Sequence, residues 1–263
     1  IIFLISVISD MQKNILLTIE YVGTRYFGFQ IQNKKGKREI SVQRELERAL
    51  KKLFKKHVTL TSASRTDRGV HALRHPANFI VNTEIPLPNI KRALNTFLPS
   101  DIRVKNARYV PLDFHARFAA YSKIYRYIIL NRKEPSVFWV DRAWHIVKPL
   151  DYRAMEQAAS LLIGTHDFSL FAKEARHYHD CTREVKGVRI TKRGSFLYID
   201  IEANGFLRFM VRNIVAFLVK TGSGILGQEK AMAIVNRKAP YKNEPAPAGG
   251  LYLVKVNYCR GKD

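Results

Sequence analysis

The sequence is poor in cysteine and poor in acid. Its 263 residues include two cysteines, Cys181 and Cys259, which excludes a disulfide-stapled scaffold and points to a reducing, cytoplasmic setting. Asp and Glu number 22 against 45 Lys and Arg, a formal net charge of +23. No apolar run reaches the length of a membrane span. The apolar start, residues 1–9, is short and lacks the basic residues that precede the apolar part of a signal peptide. Met11-Gln12-Lys13 reads as a more natural beginning, leaving residues 1–11 as an N-terminal extension. There is no Walker loop and no Gly-x-Gly-x-x-Gly, so no motif calls for a nucleotide cofactor. Arg65-Thr66-Asp67 superficially resembles a kinase catalytic loop, but no Gly-rich loop or Asp-Phe-Gly accompanies it. His177-Tyr178-His179 with Cys181 fits no zinc spacing. The expectation is a protein that uses no cofactor and no metal.

What is present is a globular composition with a large basic excess. Hydrophobic content of 46% and charged content of 25% are ordinary for a folded chain, and the length allows one large domain or two modest ones. The excess of Lys and Arg is spread along the whole chain. A folded protein this basic meets a polyanion, and nucleic acid is the first expectation.

Hydrophobic patterning gives the order of elements. Residues 14–21 read as a strand, 23–32 as a loop carrying Arg25, Tyr26, Phe27 and Phe29, and 41–56 as a helix capped by Ser41 with Val42, Leu46, Leu50 and Leu53 on one face. Residues 58–63 and 77–81 read as strands, 86–98 as a helix announced by Pro86 and Pro88 and ended by Pro99, and 102–110 as a strand. The second segment repeats this order. A strand over 121–130 precedes a helix capped by Asp151 and closed by Gly164. After a long connection, 165–182, come a hairpin of 184–191 and 196–202 around Lys192-Arg193-Gly194-Ser195, helices over 206–221 and 228–235, and a last strand over 250–258. Two β-α-β-β-α-β runs predict an α+β fold of two ferredoxin-like halves, 12–112 and 113–263, with a central basic cleft.

The connection between the strands at 58–63 and 77–81 holds Ser64-Arg65-Thr66-Asp67-Arg68-Gly69-Val70-His71-Ala72. Two arginines flank a carboxylate, and Gly69 permits positive φ or close backbone approach. Positive neighbours favour the ionised carboxylate, and an ionised carboxylate in a cleft is a candidate nucleophile or base. A surface loop whose Asp pairs with an Arg is the competing reading. His71, His75 and His115 read as hydrogen-bonding or loop residues, with a direct role for His71 left open.

Several stretches together resemble the tRNA pseudouridine synthase A family, whose signature is close to Gly-Arg-Thr-Asp-Ala-Gly-Val-His. This chain has Ser64 and Arg68 where that pattern commonly has Gly and Ala. The other matching stretches are Tyr26-Phe27-Gly28-Phe29-Gln30, Phe114-His115-Ala116-Arg117-Phe118, Tyr125-Arg126-Tyr127, His166-Asp167-Phe168, Met210-Val211-Arg212-Asn213 and Ala248-Gly249-Gly250-Leu251-Tyr252-Leu253, in the family's order. The resemblance implies a cytoplasmic isomerase, usually a homodimer, that converts uridine to pseudouridine in the anticodon stem-loop of tRNA at positions 38, 39 and 40. It implies Asp67 as the catalytic aspartate, Tyr125 as the tyrosine that stacks on the target base, and Arg212 as the cation paired with the aspartate. Arg65, Arg68 and Arg117 are then expected to handle the RNA, with Arg117 filling the gap left by the displaced base. A non-catalytic RNA-binding or RNA-chaperone module on the same fold is the alternative. It has no need of an ionised carboxylate facing RNA phosphates.

Overall fold

The computed structural model describes residues 12–32 and 40–258. The expected extension, 1–11, and Cys259 fall outside them. The chain forms two compact units: one runs to Tyr121 and resumes at Leu253, and the other is Ser122–Tyr252. The contacts therefore divide at 121/122, whereas the sequence reading divides at 112/113, and residues 253–258 return to the first unit.

In the first unit the elements are β1 (Gln12–Tyr21), α1 (Val42–Phe54), β2 (Thr61–Ser62), β3 (His71–Asn82), α2 (Leu87–Phe97) and β4 (Ile102–Val110). This is the expected β-α-β-β-α-β order. β1 is central, antiparallel to both β3 and β4, with Ile15 opposite Phe79 and Leu17 opposite Ala77. Its alternate residues Ile15, Leu17 and Ile19 are fully buried. β10 (Leu251–Tyr258) lies beside β3, and β2 pairs with β3 as well. α1 starts where predicted: Ser41 Oγ accepts the Arg44 N–H at 3.3 Å, filling an otherwise unmet donor of the first turn. Val42, Leu46, Ala49 and Leu50 form its buried face. Lys55 closes it in a left-handed conformation.

The strand expected over 58–63 contracts to Thr61–Ser62. Side chains of α1 take the backbone groups that a longer strand would have paired. Leu60 N donates to Glu47 Oε1 at 3.1 Å, and Gln43 Nε2 donates to Leu60 O at 3.3 Å.

The second unit holds β5 (Ala120–Asn131) from residue 122 on, β6 (Trp144–Ile146), α3 (Tyr152–Ser160), β7 (Gly164–Asp167), β8 (Thr182–Arg193), β9 (Phe196–Ala203), α4 (Met210–Gly222) and α5 (Gln228–Val235). Its strands run in the order β5-β9-β8-β7, and β6 adds in parallel to β5. β6 and β7 are additions to the expected order. α4 begins four residues later than expected. Phe209 has φ +65, and a right-handed helix cannot pass through a left-handed residue. Eleven of the 13 residues of α4 are buried. α3 lies close against it: a Cβ at Gly222 would stand 2.6 Å from Met155 Cγ. Among the described residues no helix is long and apolar enough to cross a membrane.

Candidate active site

Asp67 stands on a loop whose backbone is fixed on both sides. Phe29 N donates to Thr66 O at 3.3 Å, Gly69 N to Tyr26 O at 3.2 Å, and Val70 N to Asp67 O at 3.2 Å. Gly69 has φ +79. Two further glycines of the preceding loop let the two backbones touch. A Cβ at Gly23 would lie 1.9 Å from Val70 O, and one at Gly28, where φ is +88, would lie 2.3 Å from Thr66 O. Thr66 is buried, its hydroxyl 2.8 Å from Tyr21 OH. That phenol also meets His75 Nδ1 at 3.1 Å, and His75 stacks on Phe29 with ring centres 4.0 Å apart. Asp67 itself is half-buried, and Arg65 and Arg68 are exposed. The Arg68 guanidinium rests 4.3 Å from the centre of the Phe27 ring. His71 is buried and accepts the Gly23 N–H on Nδ1 at 2.9 Å, which makes it an anchor of the loop. Burial first, and the hydrogen bond to Asp101 second, push the Tyr26 phenol far above its ordinary value.

A buried amide pair holds the segment that carries Arg117. Asn14 Nδ2 reaches Pro111 O and Phe114 O, both at 2.9 Å, and Asn78 Nδ2 donates to Asn14 Oδ1 at 3.0 Å. Asn78 Oδ1 accepts the Ala116 N–H at 2.9 Å. Tyr258 OH donates to Ala116 O at 3.0 Å. Arg117 and Phe118 project from this fixed base, and Phe118 is 75% exposed. The sequence reading missed Asn14 and Asn78, since nothing local marks an amide that serves a segment 100 residues away, as for Asn14, or 38, as for Asn78.

In the second unit Tyr125 lies on β5, buried, with its ring edge-to-face on Phe206 at 5.2 Å. The adjacent Arg126 makes a two-pronged pair with Asp200 across the sheet, 2.7 and 2.8 Å, so it braces the strand. Tyr127 is fully buried and donates to Pro247 O at 2.7 Å. A Cβ at Gly250 would stand 2.5 Å from the Tyr127 ring, and one at Gly249 2.5 Å from Asp141 O. The Ala248-Gly249-Gly250 turn is glycine-rich for that reason. Burial raises the Tyr127 phenol well beyond its normal range, and the charge of Arg212 opposes the shift. Arg212, in the first turn of α4, donates from Nε to Ala246 O at 2.6 Å, while Ala246 N donates back to Arg212 O at 3.2 Å. Its guanidinium lies 4.6 Å from the centre of the Phe209 ring.

Asp67, Arg65 and Arg68 thus share one loop of the first unit, Arg117 stands on a separate segment of that unit, and Tyr125 and Arg212 belong to the second unit. A cavity of 610 Å³ in the second unit is lined by Asn131, Lys148, Lys192 and Leu197 at the far end of β5 from Tyr125. None of the expected site residues lines it, so it is not the seat of the chemistry proposed from the sequence. Among the described residues no group of three or more His, Cys, Asp or Glu is placed to hold a metal ion. Burial, with Asp167 next, pushes the Cys181 thiol upward.

A family model described as tRNA pseudouridine synthase matches residues 17–119 and 158–259. The chain is 44% identical over 247 residues to a tRNA pseudouridine synthase A of Thermoanaerobacter sp. (strain X514), covering 94% of this chain and 100% of that one. It is 42% identical to a tRNA pseudouridine synthase A of Acetivibrio thermocellus and 39% identical to a tRNA pseudouridine synthase A 2 of Clostridium perfringens, with the same coverage in both cases.

Proposed function

The chain belongs to the tRNA pseudouridine synthase A family, and from that premise we propose that it isomerises uridine to pseudouridine in the anticodon stem-loop of tRNA, at positions 38, 39 and 40. The observation that carries the reading is Asp67, half-exposed on a loop that two close glycine contacts and three backbone hydrogen bonds hold in place. The reaction breaks the C1′–N1 bond of uridine and makes a C1′–C5 bond. The C5 proton leaves and N1 gains one, so no electrons or atoms enter from outside. A carboxylate at a fixed position is the group such a rearrangement requires, as nucleophile and proton carrier. The uracil must leave the stack before any side chain reaches it. In this proposal Tyr125 offers its face to the base, a contact worth about 1–3 kcal/mol. Arg117 fills the gap in the stack, Arg65 and Arg68 meet phosphates, and Arg212 supports the charge on Asp67. Homodimeric assembly and a cytoplasmic setting are parts of the same proposal, supported by the family resemblance, and sedimentation of the purified protein tests the first.

The experiment is pseudouridine mapping on tRNA incubated with purified protein, wild type against Asp67→Asn. The substitution keeps the shape and removes the nucleophile. Wild type is expected to modify the anticodon stem-loop, and the variant to form no product while its affinity for tRNA stays within about threefold, because the large basic excess is untouched. Normal turnover by the variant would overturn the role of Asp67. Tight binding without product by wild type would favour the RNA-binding module instead.

A further inference from the structure

Arg212 has neighbours that the proposed chemistry does not use. Phe209 holds φ +65 and Glu174 holds φ +58. Left-handed backbone is rare for a bulky residue and persists only where surrounding structure fixes it. Here two bends fix each other. Lys173 N donates to Arg208 O at 2.9 Å, Arg208 N donates to Tyr178 OH at 3.0 Å, and Arg208 pairs with Glu174 Oε2 at 2.7 Å. At this seam three cations gather around one ring. The Phe209 centroid lies 4.6 Å from the Arg212 guanidinium, 5.0 Å from Lys173 Nζ and 5.5 Å from the Arg208 guanidinium. Glu174 neutralises one of the three. The ring attracts each cation, and with Glu174 paired to Arg208, Lys173 adds positive charge to the exposed side of the cluster. Lys173 and Arg208 are both exposed.

We propose that Lys173 and Arg208, gathered on the Phe209 ring, form a phosphate seat that takes a phosphodiester of the RNA chain beside Arg212. The Arg208 guanidinium, with one nitrogen held by Glu174, offers its remaining N–H groups to a phosphate oxygen, and the Lys173 ammonium offers a point charge. Because the ring and the two bends already hold the cations together, less ordering remains to be done on binding. Phe209 is a positioning residue: its ring keeps Arg212 oriented toward Ala246 O while the other two cations face solvent. The seat rests on the proposed function only in that its ligand is RNA.

The test is tRNA affinity across a salt series, with the single-turnover rate at saturating tRNA and the melting temperature measured alongside. Lys173→Gln and Arg208→Gln are each expected to weaken binding about threefold or more and to reduce the slope of log affinity against log salt by about 0.7 to 0.9, with the double variant losing about twice that. The saturating rate stays within about twofold. Arg208→Lys keeps the charge and is expected to keep the slope. Phe209→Asn retains a residue tolerant of left-handed backbone but removes the ring. It is expected to lower affinity and single-turnover rate together, and Phe209→Tyr to restore both. A double variant with wild-type slope would overturn the seat, and a Phe209→Asn enzyme with wild-type rate would overturn the positioning role. If Arg208→Gln fails to fold, the exposed Lys173→Gln carries the test alone. A wild type that binds tRNA but forms no pseudouridine would sink the proposed function and leave the seat standing, since its readout is binding.

Discussion

Arg212 makes two kinds of contact that a test can separate. Its backbone and Nε zip residue 246 onto the start of α4, and its guanidinium on Phe209 is the charge we assign to Asp67. Arg212→Met removes the charge and the Nε bond to Ala246 O, and keeps a long side chain and the backbone bond from Ala246 N. The expected outcome is a single-turnover rate lower by about tenfold or more, the scale on which a lost charge stabiliser acts, with tRNA affinity within about threefold because one cation among many is lost. Arg212→Lys is expected to recover part of the rate, as a point charge without the fork. Equal losses of rate and affinity, with a lower melting temperature, would return Arg212 to the role of a tie for Ala246.

The Asp67 loop depends on the element before it, and the glycines show how. At Gly28 the added Cβ meets the Thr66 carbonyl, backbone against backbone, so Gly28→Ala must displace the neighbour of the catalytic residue. Gly194 in the β8–β9 hairpin is also left-handed, but a Cβ there meets nothing within 4 Å. Gly194→Ala is expected to cost only the backbone penalty, about 1–2 kcal/mol, with activity unchanged. Gly28→Ala is expected to cost more in melting temperature and to lower the turnover rate as well. Calorimetry and a turnover assay on the pair check this, and equal behaviour of the two would contradict the clamp. Patterns confined to one element were readable in the chain: the Ser41 cap, the Leu46 and Leu50 face of α1, the span of β4, and the octapeptide around Asp67. Features made by distant parts were not. β7, Gly-Thr-His-Asp, has no apolar alternation and is a strand because β8 offers it a register. The apolar run expected to be helical from Phe206 is broken at Phe209, whose conformation is held by residues 173–178, more than thirty positions earlier. The cluster around that ring was illegible for the same reason.

For the molecule as a whole, two properties lead to solution behaviour. The net charge of +23 predicts tRNA binding that weakens steeply with salt, and a flat dependence would leave the excess of cations without a role. The second is alkaline fragility. Burial pushes the phenols of Tyr241 and Tyr252 up to about 12, and those of Tyr26, Tyr127 and Tyr258 higher still. The unfolded chain releases these protons near pH 10 while the folded chain keeps them. Their stabilising effect is therefore complete below about pH 10 and is lost as pH rises through the folded values. Melting temperature is expected to fall across that window, with phenolate absorbance of these residues rising at unfolding and not before it. A flat melting profile there would contradict the burial. The order in which the sheet of the first unit is completed has a further consequence. β10 lies beside β3 but follows residues 122–250 in the chain. A ribosome must therefore finish the second unit before the first can close, and through that interval β3 presents unpaired backbone along the side β10 will occupy. Nascent chains stalled before residue 251 should recruit chaperones or join edge to edge, and a β10 peptide supplied in trans should protect them.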